Sequence, residues 1–240
     1  GDYAQLRKEN GKPFRVNVGN NSHFIVQYDE QLMTDILASV DQLNAIDQRQ
    51  IIQDLRLLAE GRKNSYGNIV PLLPRFAASH SAIVMDALFR VVGDLKKFVA
   101  PDSDAEKQLQ AFFDKLSAGQ LDRLGWTPKA DESIDDQLTR PYILSMALYA
   151  KNPDAIAQGH ELFTANQAQL VALPADIRMF VLENEVKHFG NADLFDQLLK
   201  AYTQTTDSSY KADILAALTS TTDPTQIAKL VDKFEDADTI

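Results

Sequence analysis

The sequence predicts an all-α protein, an array of stacked helical hairpins with one short β-hairpin at its N-terminus. Three observations support this fold class. Apolar residues recur at the helical period from residue 30 onward. Capping residues and glycines divide that stretch into separate helices. A pattern of about one helix pair is repeated in the last third of the chain. The 240 residues, 45% of them hydrophobic, suffice for a sizeable core.

The first predicted element is a β-hairpin over residues 13–28. Two runs, FRVNVG and FIVQYD, flank the turn GNNSH, and Val16 and Val18 alternate with polar residues. A lone hairpin is marginally stable in water, and no later segment offers a third strand. We therefore expect residues 1–29 to belong to a sheet outside this chain, and to be poorly packed or frayed here.

A series of helices follows, each bounded by a capping or helix-breaking residue. In order, the predictions are a helix over 32–40, a helix capped by Asp47 and ended by Gly61, a segment at 66–77 broken by Pro71 and Pro74, a helix from Ser79 or Ser81 to Val99, a long helix from Asp102 or Ser103 to Gly125, and a helix from Ser133 to Ala150.

The last third of the chain contains an internal repeat. Each copy begins with a capping Asn or Asp and ends with an aromatic residue, and the copies occupy residues 152–163, 191–202 and 223–234. Further helices are expected between them, near 174–188 and 208–219. One helix pair cannot bury its apolar face alone, so neighbouring pairs must stack. The repeat predicts a right-handed α-α superhelix of hairpins like those of HEAT and armadillo arrays.

Composition excludes several classes of function. A net charge of −10, spread along the chain, argues against nucleic acid as a partner. The nearest basic cluster, Arg56, Arg62 and Lys63, is typical of a solvated helix end. The absence of cysteine rules out disulfides and thiolate metal sites. Neither a signal peptide nor a long apolar span is found, so no membrane partner and a cytoplasmic location are expected.

The sequence contains no complete catalytic or metal-binding motif. His160 and Glu161 begin the zinc motif H-E-x-x-H, but Thr164 occupies the position of the second ligand. In the repeat, His160 aligns with Leu199 and Val231, which indicates a structural role. Its replacement by Leu is therefore expected to be tolerated or mildly stabilising.

A second cluster consists of Glu183, Glu185 and His188. A cationic histidine at the C-terminal end of a helix explains this cluster without a catalytic role. No phosphate-binding loop, nucleophile elbow or nucleotide fingerprint occurs. The sequence therefore predicts no catalytic, cofactor-binding or metal-ligating residue in this chain.

Three stretches carry a resemblance to a known family: VNVGNNSHFIVQYDEQLM, LNAIDQRQIIQDLRLLAEG and LGWTPKADESIDDQLTRPYILSMAL. In this order they resemble the sandwich–helix junction and the following helices of the C-terminal domain of aminopeptidase N-type zinc metallopeptidases, which are gluzincins with the motif H-E-x-x-H. The matching residues of the second and third stretches are Asp47, Arg49, Ile52, Asp54, Leu58, Ala59, Gly61, Leu124, Gly125, Trp126, Glu132, Leu138 and Arg140. Departures at Ser22, His23, His80 and Asp86 suggest a divergent bacterial branch.

The resemblance implies a fragment of a larger enzyme. Residues 1–29 would be the remnant of a β-sandwich domain, and residues 30–240 a helical domain truncated at its C-terminus. The parent would be a zinc aminopeptidase of the alanyl or lysyl type, with its catalytic domain and its zinc outside this fragment. The fragment would be inactive, its partners being the parent's catalytic and β-sandwich domains and peptide substrates.

Within that interpretation, this domain covers the active site and limits substrate access. The motif match makes Arg49 and Asp54 the candidate domain-junction residues. The alternative is a freestanding α-solenoid that binds a partner protein on its concave face and has no enzymatic activity. An upstream H-E-x-x-H motif in the parent reading frame distinguishes the two.

Overall fold

A computed structural model of the chain describes residues 15–235, and in this range every regular element is a helix. The α-helices are α1 (Glu30–Leu37), α2 (Ala45–Glu60), α3 (Tyr66–Ile69), α4 (Leu73–Ala77), α5 (Ala82–Lys96), α6 (Asp104–Leu124), α7 (Ile134–Tyr149), α8 (Pro153–Asn166), α9 (Ala175–His188), α10 (Ala192–Gln204), α11 (Ser208–Thr219) and α12 (Pro224–Glu235). Short 3₁₀ segments lie at Val40–Gln42, Val70–Leu72 and Gln167–Ala172. None of the helices within 15–235 combines the length and hydrophobicity needed to cross a bilayer.

Local side-chain caps explain why most helices begin where they do. Ser103 Oγ accepts the backbone N–H of Glu106 (3.1 Å) at α6, and Ser133 Oγ accepts that of Asp136 (3.1 Å) at α7. Both caps confirm the sequence prediction. At the other end of α6, Gly125 has φ +60° and its N–H returns to Leu121 O, a conformation that glycine adopts without strain.

Two helix starts differ from the prediction. Asp47 is not the N-cap of α2, because Asn44 accepts its N–H (2.9 Å) and the helix begins three residues earlier than Asp47 would require. The predicted end of this helix is confirmed, since the helix stops at Glu60 with Gly61 as its C-cap; the next residue, Arg62, is left-handed (φ 57°). Helix α5 begins after Ser81 without a side-chain cap from that serine. Instead, Asp135 of α7 accepts the N–H of Ala82 (2.7 Å), a contact that local sequence does not reveal.

The predicted β-hairpin is not found in the described residues. Residues 15–28 form bends, a turn and irregular backbone without strand pairing, while residues 13 and 14 lie outside the described range, as do 1–12. Period-two alternation favours strands, but a strand needs a partner, and two short runs alone gain too little from pairing. The segment is poorly packed in its described part, as expected, because none of residues 15–29 is buried and most are exposed. Hydrogen bonds nevertheless attach it to α2, as described below.

The internal repeat corresponds to α8, α10 and α12. Asn152 and Asn191 accept the N–H groups of Ala155 (2.8 Å) and Leu194 (2.9 Å), and Asp223 accepts that of Thr225 (2.8 Å). The predicted caps are thereby confirmed. The aromatic position is buried in the first two copies and partly buried in the third.

The helices contact both consecutive helices and helices further apart along the chain. The consecutive pairs α6–α7, α8–α9 and α10–α11 pack together. Across these pairs, α2 contacts α5, α5 contacts α7, α7 contacts α9 and α9 contacts α11, and α4 contacts α6. The apolar interior forms two clusters, one from α1–α7 and one from α7–α12 with Trp126. Helix α7 contributes to both, since Ile143 and Met146 belong to the first cluster and Leu144 to the second.

Candidate functional site

Asp47 anchors the N-terminal segment, which we define as residues 15–29, to helix α2. Its side chain is only 2% exposed, and its Oδ1 accepts the backbone N–H of Gly19 (2.8 Å). Arg15 Nη1 lies 2.9 Å from Asp47 Oδ2, and Asn44 Nδ2 donates to the same oxygen (3.0 Å). Burial would raise the pKa of Asp47, but the hydrogen bonds from Gly19 and Arg15 outweigh it and hold this pKa below its usual range.

Asp54 lies two turns further along α2 and is also nearly enclosed, at 8% exposure. Burial raises its pKa to about 6, and hydrogen bonds from the backbone of Val26 and the side chain of Gln50 only partly oppose this rise. The tyrosine of the same segment adds an internal bond, since the N–H of Val16 donates to Tyr28 Oη (3.1 Å). Two carboxyl groups on one helix therefore hold the N-terminal segment.

Arg49 lies elsewhere on the helix. Five residues separate it from Asp54, which places the two side chains about 140° apart on an α-helix. Arg49 is exposed and lines a small pocket between α2 and α5, together with Arg56, Asp86 and Arg90. Within residues 15–235 it makes no hydrogen bond or ion pair, whereas Arg90 Nε bonds Asp86 Oδ2 (2.9 Å). The structure thus does not bring the two candidate junction residues together.

The N-terminal segment presents apolar side chains to solvent. Five apolar side chains are between 38% and 51% exposed, namely those of Val16, Val18, Phe24, Ile25 and Ile46, the last of which belongs to α2. Four of these residues lie within ten positions of the sequence, and the fifth precedes Asp47, which bonds the segment. We call these five residues the N-terminal apolar surface.

The LGW…E…R residues of the third motif come together around a buried arginine. Arg140 is 0% exposed; its Nε donates to Gly125 O (3.2 Å) and its Nη2 to Leu124 O (3.4 Å). The same guanidinium pairs with the carboxylate of Glu132. This arginine therefore binds carbonyl groups at the end of α6 and fixes the connection to α7, which is a structural role. Leu138, from the same motif, remains exposed.

His160 makes a partly buried polar contact, in which its own side chain is 41% exposed. Its Nδ1 lies 2.8 Å from Oε2 of Glu185, whose side chain is 7% exposed, and its ring stacks on Phe189 with centroids 3.9 Å apart. Glu185 thus bonds His160, a partner that the sequence did not indicate. Within residues 15–235, no three His, Cys, Asp or Glu side chains are grouped so that they could hold a metal ion.

Sequence reasoning found Asp54 and Arg49 through a motif but missed Arg15, Gly19 and Val26, which bond to α2. Gly19 and Val26 donate backbone N–H groups, which carry no side-chain signature, and Arg15 pairs with an aspartate more than thirty positions away, so these contacts had no local signal in the sequence. The low exposure of Asp47 and Asp54 likewise emerges only from the packing of segments distant along the chain.

Comparison with known proteins identifies the family. The profile of the ERAP1-like C-terminal domain matches residues 14–240. Aminopeptidase N of Lactobacillus helveticus is 52% identical over 240 residues, which is 100% of this chain and 28% of that protein. The aminopeptidase N of Lactobacillus delbrueckii subsp. lactis is 46% identical over the same length, again 28% of that protein. That of Lactococcus lactis subsp. lactis strain IL1403 is 37% identical over 239 residues, with 99% of this chain and 28% of that protein covered.

The chain thus spans little more than a quarter of these relatives, 28% of their length. The match to the family profile covers nearly every residue of the chain, and the described part is all-helical as that domain requires. The chain therefore belongs to the ERAP1-like C-terminal domain family.

Proposed function

We propose that this chain is the non-catalytic C-terminal domain of a zinc-dependent aminopeptidase that removes N-terminal amino acids from peptides. The observation that carries the proposal is the match of the whole chain to 28% of proteins named aminopeptidase N. In this proposal the zinc and the catalytic groups belong to another domain of the parent. The domain covers the active site and limits which peptides reach it.

The proposed architecture is a right-handed superhelix of HEAT- or armadillo-like helix pairs whose concave face lines the substrate chamber. The consecutive helix pairs α6–α7, α8–α9 and α10–α11 and the series of contacts from α5 through α7 and α9 to α11 support a stacked array. The partners would be the parent's catalytic and β-sandwich domains and peptide substrates. The acidic net charge of −10 supports neither nucleic acid nor an anionic membrane as a partner, and we propose a cytoplasmic location.

The N-terminal apolar surface is the proposed contact with the β-sandwich. Its side chains are exposed in the isolated domain, while Asp47 and Asp54 hold the segment that carries them. Asp54 would act at this junction by holding the segment. Arg49, whose guanidinium has no partner among residues 15–235, would bind an acidic group of another domain.

The inactivity of the domain is tested by incubating the purified 240-residue chain with alanyl and lysyl anilides and added zinc. The proposal expects no turnover above the buffer blank. Turnover that persists after repurification and is lost with a chelator would contradict it. The parent reading frame gives an independent result: an upstream H-E-x-x-H motif favours the peptidase, and its absence favours the freestanding scaffold.

The access function is tested by comparing the parent enzyme with a form that lacks this domain. Hydrolysis of a short anilide serves as the control for an intact catalytic domain. Removal of the domain should increase cleavage of long peptides relative to short ones. If the shortened enzyme does not hydrolyse the anilide, the test uses the full-length protein with the substitutions Val18→Glu and Ile25→Glu. These variants should weaken the contact between this domain and the rest of the enzyme. Unchanged length selectivity in a loosened enzyme would refute the access role.

A further inference from the structure

A groove between α4 and α6 has the size of a small-molecule site. Its volume is about 460 Å³, within the range of about 300–1,000 Å³ that ligand pockets occupy. Most of its wall is apolar, formed by Pro74, Ala77, Ala78, Phe112, Leu116 and the backbone of Gly119. Such a wall suits the hydrocarbon part of a ligand.

Every ionisable side chain that lines the groove is basic. These are His80, Lys115 and Arg123, and none of the described residues that line the groove is acidic. Lys115 is exposed and makes no ion pair within residues 15–235. In a chain with a net charge of −10, a cleft with only basic ionisable groups is locally distinct and attracts an anion.

One end of the groove is held rigidly by a buried glutamine. Gln120 Nε2 donates to Ala77 O (3.0 Å) and to Ser79 O (2.7 Å), while its Oε1 accepts from Arg123 Nε (2.8 Å). Arg123 Nη1 in turn lies 2.6 Å from Asp136 Oδ1. These bonds join α4 to α6 and fix the side chain of Arg123. Ligand binding would therefore cost little side-chain conformational entropy at this end of the groove.

We propose that this groove binds a small amphipathic anion, with an apolar body and a single carboxylate. The apolar body lies against Phe112 and Leu116, and the carboxylate lies near Lys115. Asp136 already neutralises Arg123, which leaves Lys115 as the cation of the groove without an ionic partner among residues 15–235. The site is separate from the N-terminal segment and does not rest on the proposed peptidase function.

Gly119 offers a way to close the groove without disturbing the helix. A Cβ built at this residue meets nothing within 4 Å, and the residue lies inside α6 with ordinary helical backbone. Alanine here should fold at least as well as glycine. A phenylalanine would extend into the groove and occupy it. Gly93 of α5, which also has nothing within 4 Å of its built Cβ, gives a matched control for added bulk outside the groove.

The test is a titration of the ¹⁵N-labelled 240-residue chain with 4-phenylbutyrate, 4-phenylbutanol and 4-phenylbutylamine, followed by amide chemical shifts. The expected result is a saturable set of shifts confined to α4, α6 and the residues between α4 and α5, with the carboxylate bound roughly tenfold more tightly than the alcohol. Lys115→Gln should weaken carboxylate binding about fivefold and leave the alcohol unchanged. Gly119→Phe should abolish binding of both, whereas Gly119→Ala and Gly93→Phe should not.

Several outcomes would overturn the proposal. Equal affinity for carboxylate, alcohol and amine would mean that the groove does not recognise an anion. The absence of saturable shifts up to about 10 mM ligand would mean that no site exists. If Gly119→Phe is unfolded by circular dichroism, the Lys115→Gln comparison between the charged and neutral ligands decides the matter by itself.

Discussion

At the scale of single residues, folding shifts the pKa values of two aspartates on α2 in opposite directions. In the unfolded chain Asp54 ionises near its ordinary value of 3.8, whereas in the fold its pKa is about 6. The folded protein therefore binds more protons than the unfolded chain between these values, and this group lowers stability as the pH rises through them. Asp47 has a lowered pKa, so it contributes stability above its unfolded pKa that is lost as the pH falls through its folded pKa.

Replacing Asp54 by Asn should therefore raise stability at pH 7 and have little effect near pH 4. The amide keeps an acceptor for the backbone of Val26 but carries no buried charge, and the expected gain is on the order of 2 kcal/mol. Urea denaturation from pH 4 to 7 measures it. Asp47→Asn is the matched control and should lose stability at neutral pH. A loss of stability at pH 7 for Asp54→Asn would show that its charge is used in the fold.

His160→Leu is the second residue-scale prediction, and here the structure reverses the expectation from the repeat. The variant leaves the buried carboxylate of Glu185 without its imidazole partner, which should cost about 1–3 kcal/mol. Thermal unfolding measures this loss. The double variant His160→Leu/Glu185→Leu should recover most of it, because no buried charge remains unpaired. A neutral or stabilising His160→Leu would restore the original interpretation.

At the scale of elements, the helices were largely predictable because their signals are local. Ser103 and Ser133 cap α6 and α7 as the sequence indicates, and α11 has the predicted bounds. The start of α2 was missed on a local choice, since Asn44 and not Asp47 caps it. The other misses depend on distant residues. Asp135 supplies the cap of α5 from another helix, and the predicted hairpin over residues 13–28 needs strands that residues 15–235 do not provide. The motif identified Asp54 as a candidate residue, but nothing in the motif indicated that its side chain is buried.

Close packing between helices gives a prediction for Gly159 of α8. A Cβ there would lie 2.7 Å from Asn184 Nδ2 of α9 and 3.0 Å from Trp126 Cζ2. Gly159→Ala should therefore destabilise the domain by about 1–3 kcal/mol, despite the better helix propensity of alanine. Gly93→Ala, where the added Cβ meets nothing within 4 Å, should be neutral or stabilising. Chemical denaturation of both variants checks the pair; equal stabilities would mean that α8 can move away from α9 at little cost.

At the scale of the whole molecule, α7 joins the two apolar clusters. Ile143 is buried in the first cluster and Leu144 in the second. Unfolding of either cluster would therefore displace α7 and disrupt the packing of the other cluster. The 240-residue chain should consequently unfold in one cooperative transition. The fluorescence of Trp126, which is the single tryptophan and lies in the second cluster, should follow the same urea curve as circular dichroism.

Ile143→Ala sharpens this prediction because the residue belongs to the first cluster, whereas Trp126 belongs to the second. The variant should lose about 2–4 kcal/mol and move the Trp126 fluorescence curve as far as the circular dichroism curve. Leu144→Ala, in the second cluster, is the matched variant. Separate midpoints for the two probes would show that the clusters unfold independently, as weakly coupled repeats do.

The attachment of the N-terminal segment to α2 also has a consequence for the order of events during synthesis. Residues 15–26 leave the ribosome before α2, yet the carboxylates that hold Gly19 and Val26 both belong to that helix. The segment can therefore take its place only after α2 has emerged and folded. Any domain that precedes this chain would have to wait for that moment before its final contact forms.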